Sequence, residues 1–190
     1  MGPSAIFAIL WIGWIISWVV AAFWSARTEK RVMTWETWPY GALIVIGAIL
    51  LFHSTRRLFG ETRLWHVGFD GGYVLAGVTL AGILFAWWAR LHLGRLWSGA
   101  ITRKQDHRVI DTGPYALVRH PIYTGMTLAI FATAAAQATV TGFIGAALIA
   151  LGFWIKARME ERFLTAELGA EAYSAYRRRV PMLVPFLPAG

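Results

Sequence analysis

The residues from Ala5 to Trp24 form an unbroken run of 20 without a charged side chain, and that run constrains the fold more than anything else in the chain. At roughly 1.5 Å per helical residue it matches a hydrocarbon core of about 30 Å, so it predicts a membrane-spanning helix. It is too long for the apolar region of a signal peptide, has no basic segment before it, and shows no small-residue cleavage site ahead of a polar mature region. A retained first span is therefore expected. Four further apolar segments follow, Tyr40–Phe52, Gly71–Ala89, Ile122–Ala136 and Val140–Ile155. The second, fourth and fifth of the five are shorter than the roughly 17 to 25 residues of a typical span.

The expected fold class is all-α: a polytopic membrane helix bundle of about five transmembrane helices with a C-terminal cytoplasmic helical extension. Residues 1–190 read as a single membrane domain, with an N-terminal three-helix part at 1–92. Residues 93–190 hold a long polar loop, a helical hairpin and a C-terminal helix. The hairpin follows from its connection, since only Gln137, Ala138 and Thr139 separate the last two apolar segments. Its small residues, among them Ala132, Ala134, Gly142, Gly145 and Ala146, suit close helix approach in lipid. Most tryptophans fall near segment ends, where indole rings favour the membrane interface.

Hydrophobic residues make up 57% of the chain and charged ones 15%, yet the net charge is +8. The basic residues lie beside apolar spans rather than in a nucleic-acid module, so anionic lipid headgroups, not nucleic acid, are the expected partner. No obligatory protein partner is evident. In a five-helix arrangement with the N-terminus outside, Arg56, Arg57 and Arg63 fall outside and every other Lys and Arg falls inside. The positive-inside rule then puts the long third loop and the C-terminus on the same, cytoplasmic face. A multi-pass protein of a prokaryotic inner membrane is expected. The absence of cysteine excludes disulfides, thiolate metal sites and a cysteine nucleophile.

Leu93–Tyr123 is the polar, basic, turn-rich segment between these apolar stretches, which makes it the leading place to look for chemistry. Asp111, Thr112, Gly113 and Pro114 form a turn signal, and Ile101 with Val109 and Ile110 frames a short extended pair around Lys104, Gln105 and Asp106. Arg119, His120 and Pro121 then stand directly before the fourth apolar segment, with Pro121 suited to the first helical position. Backbone donors, the helix dipole and the two basic side chains converge there on a spot fit for a carboxylate or phosphate. Beyond the fifth segment, Lys156 and Glu160 are four residues apart on one helical face, and Arg158 with Glu161 three apart on another. Leu168 and Gly169 signal a stop, and Tyr173 and Tyr176 share one side of a short helix ending before Pro181.

The pattern LGxxWSxxI, then HRVIDTGPYALVRHPIYTG, then KxxxEExxLxxELGxEAYxAYRRRVPxLVP resembles the isoprenylcysteine carboxyl methyltransferase family of integral membrane methyltransferases. The resemblance runs from about Leu93 to Pro185. It implies methyl transfer from S-adenosylmethionine, with S-adenosylhomocysteine as product, to a lipophilic or lipidated acceptor at the cytoplasmic membrane face, a prenylcysteine-type carboxylate above all. It also implies that His107, Arg108, Val109, Ile110, Tyr115, His120, Pro121, Ile122 and Tyr123 line the cofactor. Glu160 corresponds to a family glutamate that meets the cofactor, and Lys156 stands where the family carries a basic residue, usually arginine, acting on the substrate carboxylate. Lysine keeps the charge but lacks arginine's two-pronged fit to a carboxylate. No metal is implied. An activated methyl on a cationic sulfur needs mainly alignment and exclusion of water, which agrees with a chain lacking HExxH and GxSxG motifs. Methylation of a phospholipid amine or a small thiol, or an NADPH enzyme like the sterol reductases, are the alternatives.

Overall fold

The computed structural model describes residues 1–24, 28–31, 34–53, 62–97, 102–104, 110–168 and 170–187. Among the described residues six α-helices carry the architecture: α1 (Pro3–Ala22), α2 (Thr34–Phe52), α3 (Phe69–Leu93), α4 (Pro121–Gln137), α5 (Val140–Leu168) and α6 (Ala170–Arg179). Three of them, Pro3–Ala22, Phe69–Leu93 and Val140–Ala166, are long and apolar enough to cross a membrane. The fifth apolar segment thus belongs to a helix that does not stop at Ile155. It runs on without a break through Lys156, Glu160 and Glu161, so one rigid rod connects the apolar bundle to the polar cluster.

Helix α3 lies along α4 and α2 along α5, while α1 flanks α3. Each of the first two pairings crosses at reciprocal glycines. A Cβ added to Gly125 would strike the carbonyl of Gly82 and come 2.8 Å from the Ala86 nitrogen; one added to Gly47 would sit 2.6 Å from the Gly145 oxygen. The small-residue content of these segments is therefore what lets the backbones touch. In lipid, where apolar burial drives little association, that contact supplies the packing energy.

Five tryptophans depart from their expected place at the interface. Trp11, Trp14 and Trp18 on α1 stack in sequence at 5.8 and 5.4 Å, and Trp18 also meets Trp87 at 5.4 Å and Trp97 at 5.6 Å. Trp11 is buried and donates to Thr133 Oγ1 on α4 at 3.1 Å. Trp87 likewise donates to Ser17 Oγ at 3.2 Å, so these two indoles are satisfied between helices as they would be at a headgroup, whereas the buried Trp14 N–H has no acceptor among the described residues and its ring is held by its aromatic neighbours. Trp24, Trp38, Trp65, Trp88 and Trp154 do face outward.

Arg90, counted above among the loop cations, is fully buried. Its guanidinium donates to the carbonyls of Ala21 and Gly94, both at 2.7 Å, and lies 4.4 Å from the Trp97 ring centroid. It thereby caps the C-terminal ends of α1 and α3, where carbonyls lack helical partners. The strand Thr102–Lys104 also forms, but its partner is Thr28–Arg31 from the first loop, antiparallel with Lys30 opposite Arg103. Of the extended pair expected within the third loop, Ile101, Gln105, Asp106 and Val109 lie outside the described residues.

Candidate functional site

The site grows from the start of α4. Pro121 occupies the first helical turn, and His120 precedes it with a non-helical backbone and no side-chain cap. The C-terminal segment after α6 runs beside this junction: the amides of Arg119 and His120 donate to the carbonyls of Pro181 and Met182 at 2.9 and 3.1 Å. Thr124 Oγ1 donates to the Leu183 carbonyl at 2.6 Å. Two segments about sixty residues apart are stitched together at the point where α5 passes with its paired glutamates.

Glu161 is buried against Arg119, whose Nε donates to Oε1 at 2.6 Å. His120 Nε2 lies 3.2 Å from the same oxygen, and Arg177 Nε lies 3.4 Å from Oε2. Arg119 also donates through Nη1 to the carbonyls of Arg177 and Val180. This corrects one expectation. The convergence of Arg119 and His120 suited to an anion is occupied by the chain's own Glu161, because a buried guanidinium requires a permanent partner.

Glu160 is held differently. Its Oε1 accepts the Tyr123 hydroxyl at 2.7 Å and its Oε2 faces His120 Nδ1 at 3.4 Å, yet its side chain keeps 19% exposure where Glu161 keeps 3%. His120 therefore lies between two carboxylates, one on each ring nitrogen. Burial opposes its protonation, but the hydrogen bonds and charges of Glu160 and Glu161 outweigh burial and hold its pKa above the ordinary imidazole value. Above the cluster the rings of His120, Tyr123 and Phe153 form a stack, with centroids 5.6 and 5.1 Å apart. Lys156 Nζ lies between two tyrosine rings, 5.5 Å from Tyr123 and 5.7 Å from Tyr40. Such placement suits an ammonium group, since ring faces attract cations.

Of the residues expected at the site, His120, Tyr123, Lys156 and Glu160 come together directly. Pro121 is buried beneath them and Ile122 turns into the apolar core. Tyr115 is buried nearby: its carbonyl accepts the Tyr176 hydroxyl at 2.7 Å and its ring stacks on His92 at 6.3 Å. Burial, and then the field of Glu160, raise its phenol well above the ordinary value. His92 also meets Thr112 Oγ1 at 2.9 Å through Nε2, which ties the loop to the end of α3. Ile110 is half-buried, and His107, Arg108 and Val109 lie outside the described residues. Sequence reasoning did not find Tyr40 or Phe153. Phe153 stands one turn before Lys156 on α5, a signal that was available; Tyr40 sits in an apolar segment with nothing to mark it.

Residues 75–166 match the model of the "Isoprenylcysteine carboxyl methyltransferase (ICMT) family". The chain is similar to the protein-S-isoprenylcysteine O-methyltransferase of Schizosaccharomyces pombe, 32% identical over 93 residues, which cover 47% of this chain and 38% of that protein. It is 49% identical over 74 residues to methanethiol S-methyltransferase 2 of Bradyrhizobium diazoefficiens, covering 38% and 27% of the two chains. With phosphatidylethanolamine N-methyltransferase of Rattus norvegicus it shares 28% identity over 193 residues, covering 95% of this chain and 92% of that one. The chain thus spans well under half the length of the first two relatives. The solved structure of the eukaryotic intramembrane Ras methyltransferase ICMT superposes with a TM-score of 0.55 at 18% identity, over 78% of this chain and 53% of that one, and so shares its fold.

Proposed function

We propose, from the match of residues 75–166 to the isoprenylcysteine carboxyl methyltransferase family model, that the chain is an integral membrane methyltransferase that moves a methyl group from S-adenosylmethionine to a lipophilic acceptor. The observation carrying this reading is the meeting of Glu160, His120, Tyr123 and Lys156 at the polar end of the α4–α5 hairpin. The residues fit the donor. A sulfonium and a free ammonium are both cations, and Glu160 offers a partly open carboxylate beside the stacked rings of Tyr123 and Phe153. When bound, S-adenosylmethionine supplies an activated methyl group, so no protein nucleophile is required.

The remaining tasks fall to the chain's own side chains. Glu160 receives the donor's positive charge, and His120 and Tyr123 keep that carboxylate oriented. Tyr115 and Ile110 would line the cofactor on the loop side, with Pro121 and Ile122 at the helix start, and the family resemblance assigns His107, Arg108 and Val109 to the cofactor as well. Lys156 attracts an anionic acceptor such as a prenylcysteine carboxylate, and the apolar bundle admits its lipid tail from the side while excluding water. The three relatives carry oxygen, sulfur and nitrogen methylation in their names, so their common ground is the methyl group transferred rather than the acceptor. A small thiol, entering as thiolate beside Lys156, is the second reading, supported by the 49% identity over 74 residues to a relative named as a methanethiol S-methyltransferase. We further assign five membrane passages, with the N-terminus outside and the C-terminus cytoplasmic, on the distribution of Lys and Arg.

Calorimetric titration of purified protein with S-adenosylhomocysteine and with NADPH tests the reading. Micromolar S-adenosylhomocysteine binding that disappears in His120→Ala and Glu160→Ala is the expected result. A response to NADPH alone defeats it.

A further inference from the structure

Beyond α6 the chain carries an apolar tip that the methyltransferase reading does not use. Val184, Phe186 and Leu187 are 53%, 96% and 56% exposed, and the amide of Leu187 closes a turn onto the Val184 carbonyl at 3.5 Å. Three such side chains held open within four residues are costly in water, at roughly 25 cal/mol per Å² of apolar surface. Their position in the fold indicates what covers them. The Leu183 carbonyl is bonded to Thr124 Oγ1, and Thr124 lies in the first turn of α4, where that apolar helix begins. The tip therefore sits level with the polar end of α4, not out beyond α6. Arg178 and Arg179 at the end of α6, five residues before the tip, are both exposed; Arg179 pairs with Asp111 Oδ2 at 2.8 Å, so Arg178 is the arginine of the two that carries positive charge toward a headgroup. Apolar side chains beside exposed arginines are the composition of segments that lie in a bilayer interface, with cations on anionic headgroups and hydrophobes at the acyl boundary.

We propose that Val184, Phe186 and Leu187 insert into the lipid interface at the polar end of α4, as a clasp that holds the 181–183 segment against Arg119 and His120. The proposal rests on reading α4 as lipid-embedded. It does not depend on the identity of the acceptor or the donor. Because that segment accepts from the Arg119 and His120 amides, lipid contact at the tip stabilises the backbone beneath the Glu160–Glu161 cluster.

The chain contains no cysteine, so single substitutions can each carry one spin label. Phe186→Cys, Leu187→Cys, Ala175→Cys on the exposed side of α6, and Leu128→Cys on the outer face of α4 are labelled in nanodiscs of phosphatidylcholine and phosphatidylglycerol. Collisions with oxygen, which concentrates in lipid, are compared with collisions with a water-soluble nickel chelate. Labels at 186 and 187 are expected to be shielded from nickel several-fold relative to 175 and enriched in oxygen collisions, approaching the label at 128. If nickel reaches 186 and 187 as freely as 175 while 128 stays shielded, the clasp is wrong and the membrane reading stands. If 128 is also open to nickel, both fall. Two tip positions guard against one variant that fails to fold.

Discussion

The α4–α5 hairpin has two ends built from opposite principles. At the turn end, Ala138 adopts a left-handed conformation with φ 54° and ψ 46°, and the polar groups go to backbone. Gln137 Nε2 donates to the Leu51 carbonyl at 2.6 Å, Thr139 Oγ1 accepts the Gly142 amide at 3.1 Å, and the Leu64 amide donates to the Ala138 carbonyl at 2.7 Å. At the other end Arg119, His120, Tyr123, Glu160 and Glu161 bond chiefly to one another across two helices. The turn end satisfies helix termini and stops there. The charged end does the same work with Arg119 and Glu161 but leaves Glu160 partly open, which is the difference between a closure and a site.

The sharpest way to break this contrast is Arg119→Met. It removes the shortest contact of the Glu161 carboxylate, leaving His120 and Arg177 beside it, and takes a donor from the carbonyls of Arg177 and Val180; loss of one partner from a buried pair costs about 3–5 kcal/mol. The detergent-solubilised protein should show a large drop in melting temperature; an unchanged melt would mean that Glu161 is not locked by this contact. Glu160→Gln should invert the pattern. S-adenosylhomocysteine affinity is expected to fall about tenfold or more, equivalent to ~1.4 kcal/mol, with little change in melting, while Glu161→Gln is expected to lower melting first. Equal behaviour of the two variants would erase the distinction between the adjacent carboxylates.

At the turn end, Gln137→Ala removes one hydrogen bond worth about 1 kcal/mol and should leave ligand titration untouched. Any loss of binding there would show the two ends to be coupled. The smallest effect concerns pH. Because the folded pKa of His120 is raised, its contribution is complete below the unfolded value of about 6.5 and is lost as pH rises through the folded value. A melting temperature that declines across that window, and a His120→Gln variant in which the decline is absent, are expected from pH-resolved thermal scans. Glu160 and Glu161 are the carboxylates facing the ring, and although burial opposes their charge, hydrogen bonding with His120 holds both below the usual carboxylate range, so they stay ionised in that window.

Much of this was legible from residues alone, and the reason is periodicity and chemistry at short range. The uncharged run of α1, the short connection that folds α4 back on α5, the stop at Leu168 and the shared face of Tyr173 and Tyr176 are local signals, and each appears as expected, though Gln137 of the connection still belongs to α4. The spacing of Lys156 and Glu160 on one helical face was equally readable. What failed were inferences about partners. Arg90 looked like a loop cation and is buried under tryptophans; the spot beside Arg119 and His120 looked fit for an anion of unnamed origin and is filled by the chain's own Glu161; five tryptophans looked like interface anchors and pack together.

By itself the amino-acid order determined a set of apolar helices, a polar hinge before Pro121 and a pair of glutamates beyond Ile155, because helix formation and lipid burial depend on neighbouring side chains. Only the tertiary structure decided which glutamate is locked and which is open, and that Tyr40 stands beside Lys156. Those outcomes depend on where helices remote in sequence cross, and the crossings are set by backbone contact at Gly47, Gly82, Gly125 and Gly145, not by any pattern within one segment.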